Sequence, residues 1–128
     1  MLYLLDTNIC SKLVRGQSDF FPRSGNRDWS NCAISAITVH ELEFWAGATG
    51  PRRMLALREF LSTATVVPFD GAAASAAATV RHSLRATQLS AYDALIAGHA
   101  LALGFILVTD DADFKRVPGL RMENWLKS

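Results

Sequence analysis

Two stretches of this chain, Leu2-Tyr3-Leu4-Leu5 and Phe105-Ile106-Leu107-Val108, are apolar at every position instead of alternating with polar residues. A strand with one wet face alternates. An unbroken run therefore predicts a strand buried on both faces, the situation of a central strand in a parallel sheet covered by helices. Two further strands are expected at Cys32 to Ile37 and, shorter and β-branched, at Thr65 to Phe69, with a short edge strand within Leu120 to Trp125 after the Pro118-Gly119 turn. Helical spacing fills the intervals. Ile9 to Val14 ends at Gly16, and Thr38 begins a helix that runs to about Gly47. Pro51 opens another helix, with Met54, Leu57, Phe60 and Leu61 as its apolar stripe and Arg52, Arg53, Arg58 and Glu59 facing water. The Ala-rich run from Gly71 to Thr87 suits close helix packing, and Asp93 to Leu103, apolar almost all round, is expected to be the most buried helix, with Gly104 as its C-cap. Strands alternating with helices at this spacing imply an α/β fold, a parallel sheet with helices on both faces.

The 128 residues suit one compact domain, and an apolar content of 50% is enough for one core. With 13 basic and 12 acidic side chains the net charge is +1, which excludes a polybasic tail as the source of any nucleic-acid binding. Cys10 and Cys32 have neither a CxxC spacing nor a histidine pair beside them, so they are expected to be reduced, buried thiols of a cytoplasmic protein. The first apolar run lacks a basic leader and stops at Asp6, so no secretory signal is expected. No run reaches the roughly 18 apolar residues of a membrane helix. The segment 16–30 reads as a loop, in which Phe20, Phe21 and Trp29 either pack over the core or form an apolar patch for a partner.

Four acidic words interrupt this pattern: LLDTN with Asp6 and Asn8, TVHEL with Glu41, AYDAL with Asp93, and VTDDADF with Asp110, Asp111 and Asp113. Ligands of open parallel sheets bind beyond the carboxyl ends of the strands, where strand order reverses. Asp6 and Asp110-Asp111 directly follow strands, while Glu41 and Asp93 lie in the first turns of helices pointing the same way, so one rim would collect them all. Each alone has a plainer explanation. Thr38-x-x-Glu41 and Ser90-x-x-Asp93 fit the capping box, and Asn8 would cap the following helix or hold Asp6. Asp6 is harder to explain, because a carboxylate after a buried strand is costly without a cation or hydrogen-bond donors. Clustered carboxylates repel one another, and a hard divalent ion removes that penalty. All-oxygen ligands select Mg²⁺, with Mn²⁺ as a substitute, over zinc, and such an ion serves phosphodiester hydrolysis. No phosphate-binding glycine loop and no nucleophile elbow is present; His40, His82 and His99 form no ligand spacing, and His99 reads as a satisfied core histidine.

LLDTN, ISAITVHEL, AYDALIAGHAL and VTDDADFKRVPGLRMENW together resemble the PIN-domain ribonucleases, in particular the VapC-type toxins of bacterial toxin–antitoxin pairs, from Met1 to about Trp125. The resemblance implies a three-layer α/β/α sandwich around a parallel sheet, a homodimer, and a Mg²⁺-dependent endoribonuclease that cleaves structured RNA such as transfer or ribosomal RNA. It also implies a cognate VapB-type antitoxin and a higher toxin–antitoxin assembly. Asp6, Glu41 and Asp93 fall on the family's first three acidic positions, Asn8 on its supporting Asn, and Thr109 on the Thr or Ser that closes the site. The fourth acid is less definite, since relatives often carry Thr-Asn-Asn where this chain has Thr109-Asp110-Asp111; the Thr-x-Asp spacing favours Asp111, then Asp113, then Asp110. Ser90 and Ala91 also replace a frequent Gly and Pro before Asp93. Asp6, Asp93 and Asp111 are thus the expected metal ligands, with Glu41 a further ligand or the residue that positions water. RNA would need a basic rim, for which Lys12, Arg15, Lys115 and Arg116 are best placed, with Arg52 and Arg53 next.

Two other functions fit parts of the pattern. An aspartyl-nucleophile phosphohydrolase at Asp6 would want a second Asp where Asn8 stands. A non-catalytic protein-binding module would use the acids only as helix caps.

Overall fold

The computed structural model describes residues 1–22 and 25–126; residues 23 and 24, within the 16–30 loop, lie outside the described residues. Five strands pair in parallel: β1 (Tyr3–Leu5), β2 (Cys32–Ser35), β3 (Val66–Val67), β4 (Ile106–Val108) and β5 (Met122–Glu123), in the spatial order β3-β2-β1-β4-β5. The register places Tyr3 beside both Cys32 and Ile106, and Leu5 beside Val108. Five helices connect them: α1 (Thr7–Val14), α2 (Ala36–Thr49), α3 (Pro51–Thr63), α4 (Gly71–Ser83) and α5 (Ala91–Leu103).

The unbroken apolar runs are explained by the two cores on either side of the sheet. Successive strand side chains point to opposite faces, so Tyr3, Leu5, Cys32, Ile34 and Val108 pack with Ile9, Leu42 and Leu57 of α1–α3. Leu4, Ala33 and Leu107 face the other way, onto Val80, Ala94 and Ala97 of α4 and α5. The result is the expected α/β/α sandwich. As anticipated, α5 is the most deeply buried helix, and Gly104 closes it in the left-handed region at φ +69°. Pro51 opens α3, and Cys10 and Cys32 are free and buried.

Several boundaries differ from the sequence reading. The second strand stops at Ser35, where the chain turns into α2 at Ala36, and the Ser35 hydroxyl oxygen accepts from Ile37 N at 3.1 Å. Thr38 is therefore inside the helix, and the Thr38–Glu41 capping box does not form. Asn8 does not cap α1 either: Asp6 does, its Oδ1 accepting from Ile9 N at 2.9 Å. The Ala-rich helix ends at Ser83, four residues before Thr87, and α2 continues to Thr49. Arg53 does not face water. Its guanidinium lies 4.8 Å from the centre of the Trp45 ring, and among the described residues its buried Nη1 has no hydrogen-bond acceptor.

Phe20, Phe21 and Trp29 pack over the core between β1 and α3, as the first of the two sequence readings has it. Phe21 meets Trp29 and Trp125 edge-on at 5.8 and 5.2 Å, and Trp29 donates its indole N–H to the Thr63 carbonyl at 2.9 Å. No described helix is long and apolar enough to cross a membrane.

Candidate active site

Strand order reverses at β1, because the chain runs outward from it through β2 and β3 on one side and through β4 and β5 on the other. The loops leaving β1 and β4 diverge there and open a crevice. Asp6, Thr7, Asn8, Glu41, Asp93 and Asp111 line a cavity of about 120 Å³ at this point, with Ile96 and Phe114 as its apolar wall. Residues 105 positions apart are thus brought into one small space, enough for an ion and a few waters at about 30 Å³ each.

Local hydrogen bonds orient each acid. Asp6 is 4% exposed; besides capping α1, its Oδ2 accepts from the buried Thr109 hydroxyl. Thr109 is held in turn, its N–H donating to Glu123 O at 3.0 Å. The same hydroxyl oxygen accepts from Asp111 N at 3.0 Å, and Asp111 Oδ1 accepts from Asp113 N at 2.9 Å. That last bond caps the short 3₁₀ turn Ala112–Arg116 and turns Asp111 toward the cavity. Asp113, half-buried within the turn, and Asp110, exposed before it, are not part of the wall. Glu41 Oε1 accepts from the Thr7 hydroxyl at 3.0 Å, and that hydroxyl is also 3.3 Å from Thr38 Oγ1. Asp93 lies in the first turn of α5, where its N–H donates to the N-cap Ser90 hydroxyl at 3.1 Å.

Electrostatics mark the cavity as short of positive charge. Burial pushes the Asp6 carboxyl up to about 6, against the lowering effect of its bonds from Thr109 and Ile9 N, and the Asp110 and Asp93 charges push it further. Asp93 is raised as well, first by burial, then by the Asp111 charge, with Glu41 and Asp113 adding to it and the Ser90 hydroxyl opposing. Among the described residues no three acidic, histidine or cysteine side chains stand close enough to hold one ion as they are now oriented. The carboxylates line the wall, each turned to its own donor. As a donor set they are all oxygen, anionic and mutually repelling, which fits a hard divalent cation and no soft one.

The basic residues are dispersed. Arg15 is the C-cap of α1 and lines a second cavity beside the acidic one, while Lys12, half-buried, sits in the last turn of the same helix. Lys115 and Arg116 are exposed at the end of the 3₁₀ turn and Arg52 is exposed on α3; none of them lines the acidic cavity. His99, buried at 1% exposure, lies 2.8 Å from the Ser35 hydroxyl through Nδ1 and is hydrogen-bonded to the Pro68 backbone, which satisfies the ring as a core histidine. Thr7 and Ile96 were not singled out in the sequence. Thr7 stands inside the first acidic word, yet only the fold shows that it faces a glutamate on another helix.

A doubly wound parallel sheet with a ligand-sized crevice at its switch point is the setting in which open α/β folds bind their ligands. The chain belongs to the PIN-domain family, whose model matches residues 3–120, and within it to the VapC group. It is 35% identical over 128 residues to the tRNA(fMet)-specific endonuclease VapC of Salmonella typhimurium, covering 96% of this chain and 97% of that one. It is 32% identical to ribonuclease VapC2 of Rickettsia felis, covering 99% and 100% of the two chains. Its fold superposes on a chain of the DNA-bound VapBC crystal structure from Salmonella typhimurium with a TM-score of 0.86, at 33% identity and covering 98% and 99%.

Proposed function

We propose that this protein is a metal-dependent endoribonuclease of the VapC type, the toxin of a toxin–antitoxin pair, acting on structured RNA in the cytoplasm. The observation that carries this reading is the acidic cavity: a nearly buried aspartate with a raised pKa shares 120 Å³ with three more carboxylates. The relatives' names support RNA as the substrate and transfer RNA as its class, and the VapBC structure supports a VapB-type antitoxin as partner. A homodimer within a larger toxin–antitoxin assembly completes the proposal.

Asp6, Asp93 and Asp111 would hold Mg²⁺, or Mn²⁺ in its place. Bound there, the ion would lower the pKa of a water and stabilise the charge that builds on a phosphodiester under attack. Thr109 fixes the carboxylate of Asp6 and the backbone of Asp111 at once, so one hydroxyl sets the spacing of two ligands. Glu41, held by Thr7, serves as a further ligand or orients the attacking water. Asn8 sits on the cavity wall as a neutral polar contact, and Lys12, Arg15, Lys115 and Arg116 would meet RNA phosphates around it.

The purified chain, free of antitoxin, should cleave transfer RNA with Mg²⁺ or Mn²⁺ and not with chelator; a folded, monodisperse preparation that never cuts RNA with either ion would overturn the proposal. Glu41 gives a sharper test, because Ser35 and not Glu41 completes the start of α2. Glu41→Gln should reduce cleavage by on the order of 10- to 100-fold, the cost typical of disturbing a group that tunes a metal site. Its melting temperature in chelator should stay within about 2 °C of wild type, as expected for a partly exposed side chain away from the core. A purely structural acid would give the opposite result, lower stability with unchanged cleavage.

A further inference from the structure

The acidic cavity opens beside a second one with a single carboxylate, Glu41, and a single cation, Arg15, in its wall. Thr7, Asn8 and Glu41 belong to both walls; beyond them the second cavity, about 320 Å³, is formed by Ser11 and Arg15 of α1 and by Leu42 and Trp45 of α2. Its volume lies at the small end of ligand sites, which run from roughly 300 to 1,000 Å³. That is room for one nucleotide beside the acids.

The chemistry changes along this path in the sense that a nucleic acid strand requires. Thr7, Asn8 and Glu41 stand at the shared border, and past them the polar groups are the Ser11 hydroxyl and the Arg15 guanidinium. Ser11 donates to the Asn8 carbonyl at 2.9 Å, which leaves its oxygen free to accept. Arg15 uses only Nε, at 3.4 Å from Ser11 O, and among the described residues no carboxylate pairs with its two outer nitrogens. Trp45 is half-buried, and the Arg53 guanidinium lies 4.8 Å from its ring centre, although Arg53 is not part of the cavity wall. Among the described residues the buried Nη1 of Arg53 has no hydrogen-bond acceptor, and the Trp45 ring lies beside this guanidinium.

We propose that this second cavity is a nucleotide subsite: it receives the nucleotide next to the cleaved phosphodiester, with Trp45 supporting the base and Arg15 meeting the outer phosphate. An indole wall offers any base a π face, and a fork of free N–H donors matches phosphate. The subsite rests on the nuclease reading, and it makes Arg15 and Trp45 binding residues with no part in the chemistry.

The test measures cleavage of total transfer RNA by the full chain in Mg²⁺ or Mn²⁺, and separately the quenching of tryptophan fluorescence when a short single-stranded RNA is added to the Asp6→Asn variant in chelator. Arg15→Gln, an exposed change that leaves the core intact, should raise KM on the order of tenfold with kcat within about twofold, and flatten the salt dependence by about one phosphate contact. Trp45→Leu should also raise KM, Trp45→Phe should restore it, and Arg58→Gln on the outer face of α3 should leave it unchanged. Quenching should vanish in the Asp6→Asn, Trp45→Phe double variant. Should Trp45→Leu fail to fold, Arg15→Gln and the quenching decide alone. Active enzyme whose KM ignores both positions would overturn the subsite and leave the nuclease reading standing. So would an effect on kcat alone, or variants that lose only antitoxin affinity, since the cavity would then serve chemistry or a protein. A wild-type chain that cuts no RNA would overturn the nuclease reading, and lack of quenching would then remove the subsite with it.

Discussion

Asp6→Asn should reduce RNA cleavage at least about a hundredfold while raising the thermal stability of the metal-free protein. The loss follows from position. Asp6 is the acid at the switch point, fixed by two donors, and since residues behind a metal ligand cost about 10- to 100-fold, a residue in the ligand role proposed for Asp6 should cost no less. The gain in stability follows from the raised carboxyl. An ordinary aspartate titrates near 3.8, whereas burial moves Asp6 to about 6. Between those values the folded chain binds more protons than the unfolded chain, so its stability falls as pH rises through that window and stays low above it. At about 1.4 kcal/mol for each tenfold change in the proton equilibrium, ionised Asp6 costs the metal-free fold about 3 kcal/mol at neutral pH. Asparagine keeps the oxygen that caps α1 and carries no charge, so it escapes most of that cost. Melting curves in chelator from pH 4 to pH 8 should show wild type losing ground to the variant up to about pH 6 and running parallel thereafter. Mg²⁺ should then raise the melting temperature of wild type and not of Asp6→Asn, because a ligand stabilises only the state that binds it. A variant that still cuts RNA, or one that melts below wild type at pH 7 without metal, would contradict this account of Asp6.

The sequence carries the sheet plainly because burial on both faces leaves a direct trace: every residue of Tyr3–Leu5 must be apolar, and is. Asp6 is visible for the converse reason, as a charge where the pattern demands none. The errors concentrate where a distant residue decides between two local solutions. Thr38-x-x-Glu41 is the better capping box by composition, yet Ser35 caps α2, because β2 stops pairing there and His99, 64 positions on, holds the Ser35 hydroxyl. Asn8 is a good cap in isolation and loses to Asp6, whose backbone N–H is fixed to Val108 O at the end of β4. The choice among Asp110, Asp111 and Asp113 has the same character. Spacing ranks them, but the direction of each side chain depends on Thr109, which β5 anchors from 14 positions further along the chain. The second cavity has no linear signature: the sequence offers Arg15 as a basic rim residue, but nothing in it pairs Arg15 with Trp45, which meet across one cavity only when α1 and α2 are packed together.

Gly98→Ala should destabilise this protein by about 1–3 kcal/mol, although alanine is the better helix former. A glycine inside a helix is worse than alanine by about 1 kcal/mol, so in open space the change would stabilise. Here there is no space. A Cβ on Gly98 would lie 2.3 Å from Ala77 N, 2.4 Å from Ala77 Cα and 2.7 Å from Ala77 Cβ. Those are backbone atoms and a first side-chain carbon, which have no rotamer to change, so α4 as a whole would have to move off α5. That motion would open the contact between α4, whose Ala73, Ala77 and Val80 are buried, and α5, where Val80 shares a core with Ala94 and Ala97. Forced overpacking of this kind costs typically 1–3 kcal/mol and sometimes more, equivalent to a fall in melting temperature on the order of 10 °C. Function should suffer in parallel, because α5 carries Asp93 in its first turn and cannot shift without moving a wall of the acidic cavity. Gly47→Ala supplies the control within the same chain. It is also helical, but the nearest atom to its added Cβ is the flexible Met54 Cε at 4.0 Å, so this variant should gain up to about 1 kcal/mol. Thermal melting of the pair should therefore give opposite signs from one chemical change, and a Gly98→Ala variant as stable as Gly47→Ala would show that the two helices are not in contact through these residues.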